Sequence, residues 1–326
     1  MIKRAYGMAR KFNMFMDDIG LSKKYGLKFT YALKGLLDWI VFGSTVTDFF
    51  ELSFYKKSFS EKKKYMTWRY HKKAIYLFDD FELLEKYRDK SYMYSMLKGC
   101  VGRDVLESSQ CTFEEFKDFI NKHPVFLYKP NNTSCGIGIR KIDVSEHEPT
   151  KLFQEIKKQS ATLDEIIEQH SSLKAISDKS VNTVCIFTLK LKGDVKFIGA
   201  AFRMGVGDSV VDNYSAGGLV GSVDLKTGQV VDQAENMYGE HFDRHPVSHV
   251  ELKGLQLPNW EITLSSVKKW ALGLEMNYAA WDVAIRENDC VLVEVNPTGM
   301  INVIQIAGAG GRKKQYEELI EMWKQK

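Results

Sequence analysis

The sequence predicts an α+β protein in which a mostly helical N-terminal region precedes a mixture of strands and helices. Residues 1–88 contain few glycines and no proline, and the first proline of the 326-residue chain is Pro124. After about residue 123, runs rich in Val, Ile, Phe and Thr alternate with glycine-containing turns, a pattern typical of strands. Helices first and mixed elements afterwards favour an α+β protein over a doubly wound one.

The individual elements follow from turn residues and apolar alternation. The glycine-containing segments 192–194 and 226–228 mark the turns of two hairpins, and Asn259, directly after Pro258, marks the start of a helix. A chain of this length forms one large domain or two to three small ones. In chain order, we expect a strand at 125–129, a loop at 131–138, a helix at 150–159, hairpins at 181–204 and 219–233, a helix at 259–274, a hairpin at 280–295 and a helix at 313–324.

Basic residues are concentrated in the N-terminal region. Residues 1–76 hold 16 Lys and Arg against 6 Asp and Glu, a net charge of +10, and the rest of the chain carries −6. One interpretation is a solvated basic face, and the other is attraction to an anionic membrane surface or a phosphate-bearing, lipid-linked substrate. The net charge of the whole chain, +4, is too small to indicate a general nucleic-acid binder, so we expect no nucleic-acid partner.

The cysteines indicate a reducing compartment. Five cysteines lie far apart, at positions 100, 111, 135, 185 and 290, and the absence of a C-x-x-C pair disfavours a disulfide framework or a zinc site. Residues 1–18 lack the apolar segment of a signal peptide, and the longest apolar stretch, near 36–46, is short and contains Asp38. We therefore expect a cytoplasmic protein, with the inner face of the membrane as a location that the basic region would suit.

Residues 280–297 predict a hairpin with one apolar face and one face of oxygen ligands. The odd strand positions from Trp281 to Val295 are apolar, whereas the even positions include Asp282, Glu294 and Asn296. Side chains alternate across a strand, so these three polar residues share a face.

The register of this hairpin predicts a metal site. A three-residue loop at 287–289 pairs residue 286 with 290, residue 284 with 292, and Asp282 with Glu294. Carboxylates opposed across a sheet are destabilising unless a cation neutralises them. Mg²⁺ binds through a few carboxylates together with substrate phosphates, and Asn296 adds a neutral oxygen. We expect a metal site of Asp282, Glu294 and Asn296; the alternative is a solvent-exposed sheet face with ordinary charges.

A lysine and a glycine loop upstream suit phosphate binding. Lys129 ends a predicted strand and is followed by segment 131–139, whose backbone N–H groups and hydroxyls can fold over anionic oxygens. The lysine supplies a point charge beside that loop. The segment is not a Walker A loop, because no Gly-Lys-Ser/Thr follows. Lys90, taken alone, is typical of a surface lysine.

Three histidines recur every four residues, a spacing that aligns metal ligands on a helix. They are His241, His245 and His249, but Pro246 interrupts any helix there. We therefore expect a loop at the mouth of a substrate site, or plain surface, in preference to a zinc site.

These residues together resemble a known superfamily. Their order is similar to that of ATP-grasp proteins, and most of all to the sugar-transfer-associated ATP-grasp proteins, which are related to glutamate-ligase-type enzymes. The resemblance covers roughly residues 85–310, and its specific parts are the carboxylate hairpin and the Asn-x-x-x-x-Gly-Gly segment. The motifs are Asp89-Lys90, Lys129 with its glycine loop, 167–170 (Ile-Glu-Gln-His), 181–183 (Val-Asn-Thr), 203–205 (Arg-Met-Gly), 213–218 (Asn-Tyr-Ser-Ala-Gly-Gly), Trp281-Asp282 and 294–297 (Glu-Val-Asn-Pro).

The resemblance implies an ATP-grasp fold, in which two α+β subdomains grip ATP. The implied organisation is a helical basic region at 1–88, a small subdomain with the phosphate loop at 89–200, and a C-terminal subdomain with the Mg²⁺-binding hairpin at 201–326. Arg203, Asn213 and Lys129 are implied to be catalytic, with Arg203 stabilising the transferring phosphoryl group.

The implied cofactors are ATP and one or two Mg²⁺ ions, the latter held by Asp282, Glu294 and Asn296. Segment 168–170 is implied to be the hinge strand against the adenine, and Gly217 and Gly218 to allow close backbone approach. The residues implied to bind the nucleotide are Lys90, Lys129, Thr133, Ser134, Cys135, Gly136, Gly138, Glu168, Gln169, His170 and Asn182.

The chain departs from the family pattern at two places. Cys185 stands where related sequences often carry an arginine, and the N-terminal region does not match the Rossmann-like domain of many ATP-grasp ligases. The resemblance implies a carboxylate–amine ligase that forms an amide through an acyl phosphate in cell-surface polysaccharide or glycoconjugate synthesis. The expected substrates are a small or sugar-linked carboxylate and an amine. The alternatives are an ATP-grasp phosphotransferase and a non-catalytic nucleotide-binding scaffold.

Overall fold

The structure of the chain is a computed structural model that describes residues 11–17, 25–97, 101–131 and 138–325. Its N-terminal part is helical, as predicted, and two antiparallel sheets follow. Residues 11–17 are helical, and the helices that follow them in the described residues are α1 (Tyr25–Phe42), α2 (Val46–Glu51), α3 (Phe59–Lys62), α4 (Trp68–Phe78), α5 (Phe81–Arg88), α6 (Lys90–Met96), α7 (Phe113–Lys122), α8 (Pro149–Ile156), α9 (Ser171–Lys174), α10 (Trp260–Gly273) and α11 (Lys313–Lys324). The strands are β1 (Val105–Glu107), β2 (Val125–Pro130), β3 (Arg140–Asp143), β4 (Ala161–Glu165), β5 (Thr183–Leu191), β6 (Asp194–Met204), β7 (Leu219–Val223), β8 (Ala234–Glu235), β9 (His241–Phe242), β10 (Tyr278–Ile285) and β11 (Cys290–Asn296).

Three helices begin at capping boxes. Thr45 before α2, Ser58 before α3 and Thr112 before α7 each accept a hydrogen bond from the backbone N–H three residues later. The acidic side chain at that third position accepts from the cap residue in return, so two otherwise unpaired backbone donors are satisfied at each start. No helix of the described part of the chain is long and apolar enough to cross a bilayer.

The small sheet has four strands in the order β1-β4-β2-β3. Its apolar side packs against α7 and α8 in a core of its own, which includes Phe116, Phe126 and Leu163. Strand β2 matches the predicted strand at 125–129, and its hairpin with β3 pairs Tyr128 with Arg140. The glycine-containing segment 131–139 is therefore the connection of this hairpin.

The large sheet has seven strands in the order β11-β10-β5-β6-β7-β8-β9. Strand β10 is buried along its whole length, because helices cover both faces of the sheet centre. The predicted hairpin at 181–204 is β5–β6, and both turn residues, Lys192 (φ 53°) and Gly193 (φ 76°), have positive φ, as a two-residue type I′ turn requires.

The two sheets divide the chain between β4 and β5. Strands β5 and β6 both belong to the large sheet, together with the hairpin β10–β11. Residue 200, the end of the small subdomain in the sequence analysis, lies inside β6. Sheet membership therefore puts the division between Glu165 and Thr183.

The N-terminal helices pack into the same core as the large sheet. The Asp79 carboxylate after α4 accepts hydrogen bonds from the backbone N–H groups of Asn277 and Tyr278, each at 2.8 Å. His71 on α4 contacts the Tyr278 hydroxyl at 2.7 Å, and this hydroxyl contacts that of Tyr316 on α11 at 2.9 Å. The basic N-terminal region thus contacts the start of β10, the strand that contains Asp282 of the predicted metal site.

Asn259 occupies the position before α10, as predicted, but its side chain does not cap the helix. Its backbone has φ 50°, and its amide donates to the carbonyls of Arg286 and Glu287 at 2.9 Å each. Because the amide is used there, Asn259 ties α10 to the turn of the β10–β11 hairpin.

Candidate active site

The hairpin β10–β11 places Asp282 directly opposite Glu294, as predicted. The predicted pairs 286–290 and 284–292, on the turn side of Asp282, were wrong. Ile285 pairs with Cys290 across a four-residue turn, and a β-bulge at Val293 restores the pairing at Asp282. The turn is one residue longer than predicted, and the bulge adds one residue to the opposite strand. The two changes compensate each other, so Asp282 and Glu294 still pair.

Asp282 is buried, with 3% of the residue exposed. This burial excludes the alternative of a solvent-exposed face with ordinary charges. Arg203 on β6 reaches Asp282 with Nη2 to Oδ2 at 3.0 Å, and the same guanidinium donates to the Thr183 hydroxyl at 2.8 Å. Asp212 is a second carboxylate beside this guanidinium, with its Oδ2 at 3.6 Å from Arg203 Nε.

The charges of this cluster shift its pKa values. Burial raises the pKa of Asp282 to about 6, and the neighbouring carboxylates Glu294 and Asp212 add to the rise against the opposing effect of Arg203. Burial also lowers the pKa of Arg203, but Asp212 and Asp282 outweigh it and raise that pKa above its ordinary value. Arg203 therefore remains a cation in a water-poor site.

Cys185 occupies the position on β5 directly opposite Asp282. Burial raises the pKa of its thiol well above the ordinary range, and the Asp282 carboxylate raises it further. The side chain is therefore a neutral thiol, and Arg203 is the cation beside Asp282.

The donor set fits a divalent cation. Asp282 Oδ1 is buried and has no hydrogen-bond partner, which is costly for a carboxylate unless a ligand takes it up. Glu294 and Asn296 on β11 add a carboxylate and an amide oxygen. Hard oxygen atoms of this kind are the ligands that Mg²⁺ prefers.

Lys129 lies in a buried ion-pair cluster on the small sheet. Its Nζ donates to Asp164 Oδ2 on β4 at 2.7 Å, and Arg103 Nη2 donates to the same oxygen at 2.6 Å. Burial alone would raise the pKa of Asp164, but Lys129 and Arg103 outweigh it and hold that pKa well below its usual range. Asp164 is thus a fixed anion that holds Lys129 at the end of β2.

Arg103 joins the two sheets and was missed in the sequence analysis. Its guanidinium also donates to the carbonyls of Leu292 and Val293, which the bulge in β11 turns towards it. Tyr94 on α6 contacts the Val293 carbonyl at 3.3 Å and Asp164 at 3.4 Å. No short-range pattern signals this role, because Arg103 lies 61 residues from Asp164 and 189 from Leu292.

The start of the glycine loop contacts the first turn of α6. Asn131 donates to Ser91 Oγ at 3.0 Å and to Glu107 Oε2 at 3.0 Å, and Ser91 donates to Glu107 at 2.6 Å. This network brings the first turn of α6, which begins at Lys90, close to the loop. Gly138 has φ 77°, and a Cβ there would lie 3.2 Å from Pro130. The predicted nucleotide ligands Thr133, Ser134, Cys135 and Gly136 lie outside the described residues.

The predicted hinge, residues 168–170, is not a strand, because β4 ends at Glu165 and the segment forms an irregular connection to α9. Glu168 is exposed, whereas Gln169 and Asn182 are buried. The Gln169 amide donates to the carbonyls of Ser177 and Ser180, and its oxygen accepts from Asn182 at 2.9 and 3.0 Å. The protein itself uses these two side chains, which leaves backbone groups for the predicted adenine contact.

His170 lies at the junction of the two sheets. Its backbone N–H donates to the Ile285 carbonyl at 2.7 Å, and its Nε2 lies 3.2 Å from Glu287 Oε2 in the hairpin turn. The segment predicted to contact adenine is therefore fixed against the end of β10.

The Asn-x-x-x-x-Gly-Gly segment folds back beside β6. Asn213 caps a short 3₁₀ helix (Tyr214–Ala216) by accepting from the Ser215 N–H at 3.2 Å. Gly217 has φ 94°, and a Cβ on Gly218 would lie 2.5 Å from the Asp212 carbonyl. Gly218 is therefore required for the close backbone approach beside Asp212, whereas Gly217 has the left-handed backbone that favours glycine or asparagine.

A cavity of about 380 Å³ lies between the N-terminal helices and the β8 end of the large sheet. Glu51, Lys56 and Lys57 line it from the N-terminal region, and Glu235 and His241 line it from β8 and β9. His245 is buried, and its Nε2 lies 2.9 Å from the Gly205 carbonyl oxygen, whereas His241 lines the cavity. The three histidines at 241, 245 and 249 therefore do not align as metal ligands.

This cavity shares a sheet face with the carboxylate cluster. Arg203 pairs with Val220 across β6 and β7, and Val220 pairs with Glu235 across β7 and β8. Directly paired residues point to the same face, so Glu235 lies on the face of Arg203 at a distance of about 10 Å, two strand spacings away.

A second polar cluster lies at the edge of the small sheet. Among the described residues, Asp104, His123 and Glu165 bring ligand atoms within 4.8 Å of one another. Ordinary hydrogen bonds account for the arrangement, since His123 Nε2 lies 2.9 Å from Asp104 Oδ2 and the Asp104 N–H donates to Glu165 at 2.9 Å.

A family model for sugar-transfer associated ATP-grasp proteins matches residues 99–319, which is more than half of the chain. The chain belongs to this family. Its fold is accordingly an ATP-grasp fold, and the α+β class and the helical N-terminal region predicted from the sequence are confirmed. No curated protein matches the chain.

Several solved ATP-grasp structures are similar to this family member at low identity. ATP-grasp ligase PsnB, in complex with a phosphomimetic variant of its minimal precursor, Mg and ADP, has 11% identity and a TM-score of 0.47, covering 75% of this chain and 62% of that chain. N5-carboxyaminoimidazole synthetase from Staphylococcus aureus, in complex with ADP, has 10% identity and a TM-score of 0.43, covering 67% and 46%. The chain thus spans less than two thirds of the length of these proteins.

Proposed function

We propose that this ATP-grasp protein is an ATP-dependent carboxylate–amine ligase. The observation that carries the proposal is the pair of opposed carboxylates, buried Asp282 and half-buried Glu294, beside the Arg203 guanidinium. A buried carboxylate oxygen without a partner, next to a fixed cation, suits the charge of a nucleotide phosphate chain better than it suits a structural core.

The proposed reaction has two steps. A substrate carboxylate attacks the γ-phosphorus of ATP, which forms an acyl phosphate and releases ADP. An amine then attacks the acyl carbon and expels phosphate, which leaves an amide. Phosphoryl transfer depends mainly on positioning and charge neutralisation, so the site needs cations and metal ligands and no nucleophilic side chain.

Different residues of this chain would bind the nucleotide and assist the phosphoryl transfer. Lys129 and Lys90 would contact the phosphates, loop 133–138 would cover them, and the backbone of 168–170 would hold the adenine. Lys129 keeps two ammonium donors for phosphate after its bond to Asp164. Arg203 would stabilise the transferring phosphoryl group, and Asn213 would orient it.

Asp282, Glu294 and Asn296 would hold one or two Mg²⁺ ions. A bound Mg²⁺ neutralises charge on the phosphate oxygens that it contacts. A cation there would also offset the mutual repulsion of the two opposed carboxylates, which raises the pKa of Asp282 in the protein alone.

We further propose that the cavity near Glu235 receives the acceptor substrate. It lies on the face of Arg203, it has room for a small polar molecule, and it presents both lysines and carboxylates. Lys57 and Lys56 suit a carboxylate, and Glu51 and Glu235 suit an amine. The substrate would be a small or sugar-linked carboxylate with an amine partner, in cytoplasmic synthesis of polysaccharide or glycoconjugate at the inner face of the membrane.

The direct test is Glu294→Gln, which keeps the shape of the side chain and removes its charge. Turnover with a responsive carboxylate–amine pair, followed by ADP formation, is expected to fall by about 10²–10³-fold, the usual cost of one such contact. The control is Asp289→Asn in the turn of the same hairpin, which is expected to retain turnover. Full activity in Glu294→Gln would remove the hairpin from the mechanism.

Phosphate release separates the ligase from a kinase. A ligase releases phosphate with ADP only when the amine is present, whereas a phosphotransferase keeps the phosphate on its product.

In the same assay, Lys57→Gln is expected to raise the KM of the acceptor at least tenfold and to leave the KM of ATP unchanged. A change in the KM of ATP alone would refute the assignment of the cavity to the acceptor.

A further inference from the structure

Helix α1 presents its apolar face away from the protein. Phe29, Leu33, Leu36, Leu37 and Ile40 recur at helical spacing and fall within an arc of about 100°. Phe29 is 74% exposed, Ile40 is 58% exposed, and the three leucines are about half exposed. These five residues, named here the apolar stripe, form one continuous surface along the helix.

The opposite side of α1 makes the contacts with the body of the protein. Phe42 and Asp38 are buried there, and Tyr31 packs edge-on against Phe49 and Tyr55. An amphipathic surface helix of a globular protein normally turns its apolar face to the core. The exposed apolar area of the stripe is on the order of 500 Å², at the upper end for a patch on a monomeric protein, and patches of this size mark interaction sites.

The segment that contains the apolar stripe has an excess of cations. Residues 25–78 contain ten Lys and Arg against four Asp and Glu. Three of the four acids, Asp38, Asp48 and Glu51, are buried, so Glu61 is the exposed acid among the described side chains of this segment. The exposed charged side chains of this segment are therefore mostly cations.

Two of these cations lie over exposed aromatic rings, one on α1 and one at the start of α3. The Arg69 guanidinium lies 5.1 Å from the centre of the Trp39 ring, and Lys63 Nζ lies 4.7 Å from the centre of the Phe59 ring. Trp39 and Phe59 are both at least half exposed. Aromatic rings with adjacent cations are typical of protein surfaces at the level of lipid headgroups, where the ring enters the boundary and the cation contacts phosphate.

We propose that α1 lies in the surface of an anionic lipid membrane, with the apolar stripe inserted between the headgroups. Lys63, Arg69 and the other exposed cations of residues 25–78 would contact lipid phosphates while the stripe leaves water. Two copies of this segment would bring two sets of cations together, so charge complementarity favours an anionic leaflet over a second copy. The helix would lie along the membrane surface and would not span the bilayer, because α1 contains the charged residues Lys34 and Asp38. This inference does not depend on the ligase reaction.

The test is co-sedimentation of the full chain with phosphatidylcholine vesicles that contain about one quarter phosphatidylglycerol, with pure phosphatidylcholine as the neutral comparison. The wild-type protein is expected to sediment with the anionic vesicles only. Leu36→Ser combined with Ile40→Ser is expected to weaken binding at least tenfold. Ile262→Ser combined with Leu272→Ser on α10, where both side chains are nearly half exposed, is the matched control and is expected to bind like the wild type.

Four results would overturn the proposal. The first is no sedimentation of the wild type with anionic vesicles, and the second is an equal loss of binding in both double variants. The third is a concentration-dependent dimer in lipid-free buffer that Leu36→Ser with Ile40→Ser abolishes, because a second copy would then cover the stripe. The fourth is a lower unfolding temperature in that variant than in the control, because another part of the chain would then cover the stripe.

Discussion

Glu51 and His71 are buried ionisable residues whose pKa values move away from their ordinary values. Burial raises the pKa of Glu51 to about 7, although Asn302 donates to its carboxylate at 2.8 Å. Burial lowers the pKa of His71 to about 3. At neutral pH, His71 is therefore neutral and Glu51 is partly protonated, and both make the stability of the protein depend on pH.

The sign of the two effects is opposite. The folded protein keeps the Glu51 proton between pH 4.5 and about 7 while the unfolded chain releases it, so this contribution is complete below pH 4.5 and is lost as pH rises to 7. The unfolded chain protonates His71 between about pH 3 and 6.5 while the folded protein does not. The His71 contribution is therefore complete above pH 6.5 and is lost as pH falls.

Glu51→Gln isolates the first effect. The free energy of unfolding of the wild type, relative to the variant, is expected to fall by about 3 kcal/mol between pH 4.5 and 7.5. Urea unfolding at several pH values measures this difference. Glu317→Gln on the exposed side of α11 is the control and should show no such trend. A wild-type-minus-variant difference that does not change with pH would mean that Glu51 is charged in the folded protein.

At the residue scale, the sequence could predict which candidate ligands share a strand face. Asp282 and Glu294 follow from alternation within one short segment. Asp212 and Thr183 do not, because they reach Arg203 from separate strands and loops that only the assembled sheet brings together. The signal available in the sequence for Asp212 was its position directly before Asn213.

At the element scale, the hairpin β10–β11 shows how a wrong loop length can still give the right pair. Periodicity cannot detect the bulge at Val293, because a bulge adds one residue without changing which residues are apolar. The bulge has its own role, since it turns the Leu292 and Val293 carbonyls towards Arg103. A regular ladder would use carbonyls of this strand within the sheet.

The turn at 213–218 gives a prediction at this scale. Gly218→Ala would place a Cβ 2.5 Å from the Asp212 carbonyl and 2.9 Å from that of Met204, so the backbone around Asp212 must move. Turnover is expected to fall at least tenfold, because a small displacement of groups around the reacting phosphate is costly. ADP formation by the purified variant is the measurement.

Gly217→Asn is the matched control for this turn. No atom lies within 4 Å of a Cβ at Gly217, and Asn tolerates the left-handed backbone there better than other side chains do. This variant should keep most of the turnover. Equal loss in the two variants would show that the turn needs flexibility and not the close approach at Gly218.

At the scale of the whole molecule, the ion-pair cluster around Asp164 connects the two sheets. Lys129 and Asp164 belong to the small sheet, and Arg103 extends the cluster to the bulge of the large sheet. The family resemblance predicted that Lys129 faces phosphate, but neither pattern nor spacing predicts its anionic partner. A contact between sheets depends on how two separate cores pack, and no local sequence pattern encodes that.

Asp164→Asn tests the cluster. The substitution would leave two buried cations, Lys129 and Arg103, without a compensating charge, and removal of one partner from a buried ion pair costs about 3–5 kcal/mol. The free energy of unfolding in urea is expected to fall by this amount. The matched control is Glu155→Gln, which breaks the half-exposed pair with Arg140 in the same subdomain and should cost at most about 1 kcal/mol. Similar losses in the two variants would mean that water reaches the Asp164 cluster, and the two sheets would then be held together by apolar packing alone.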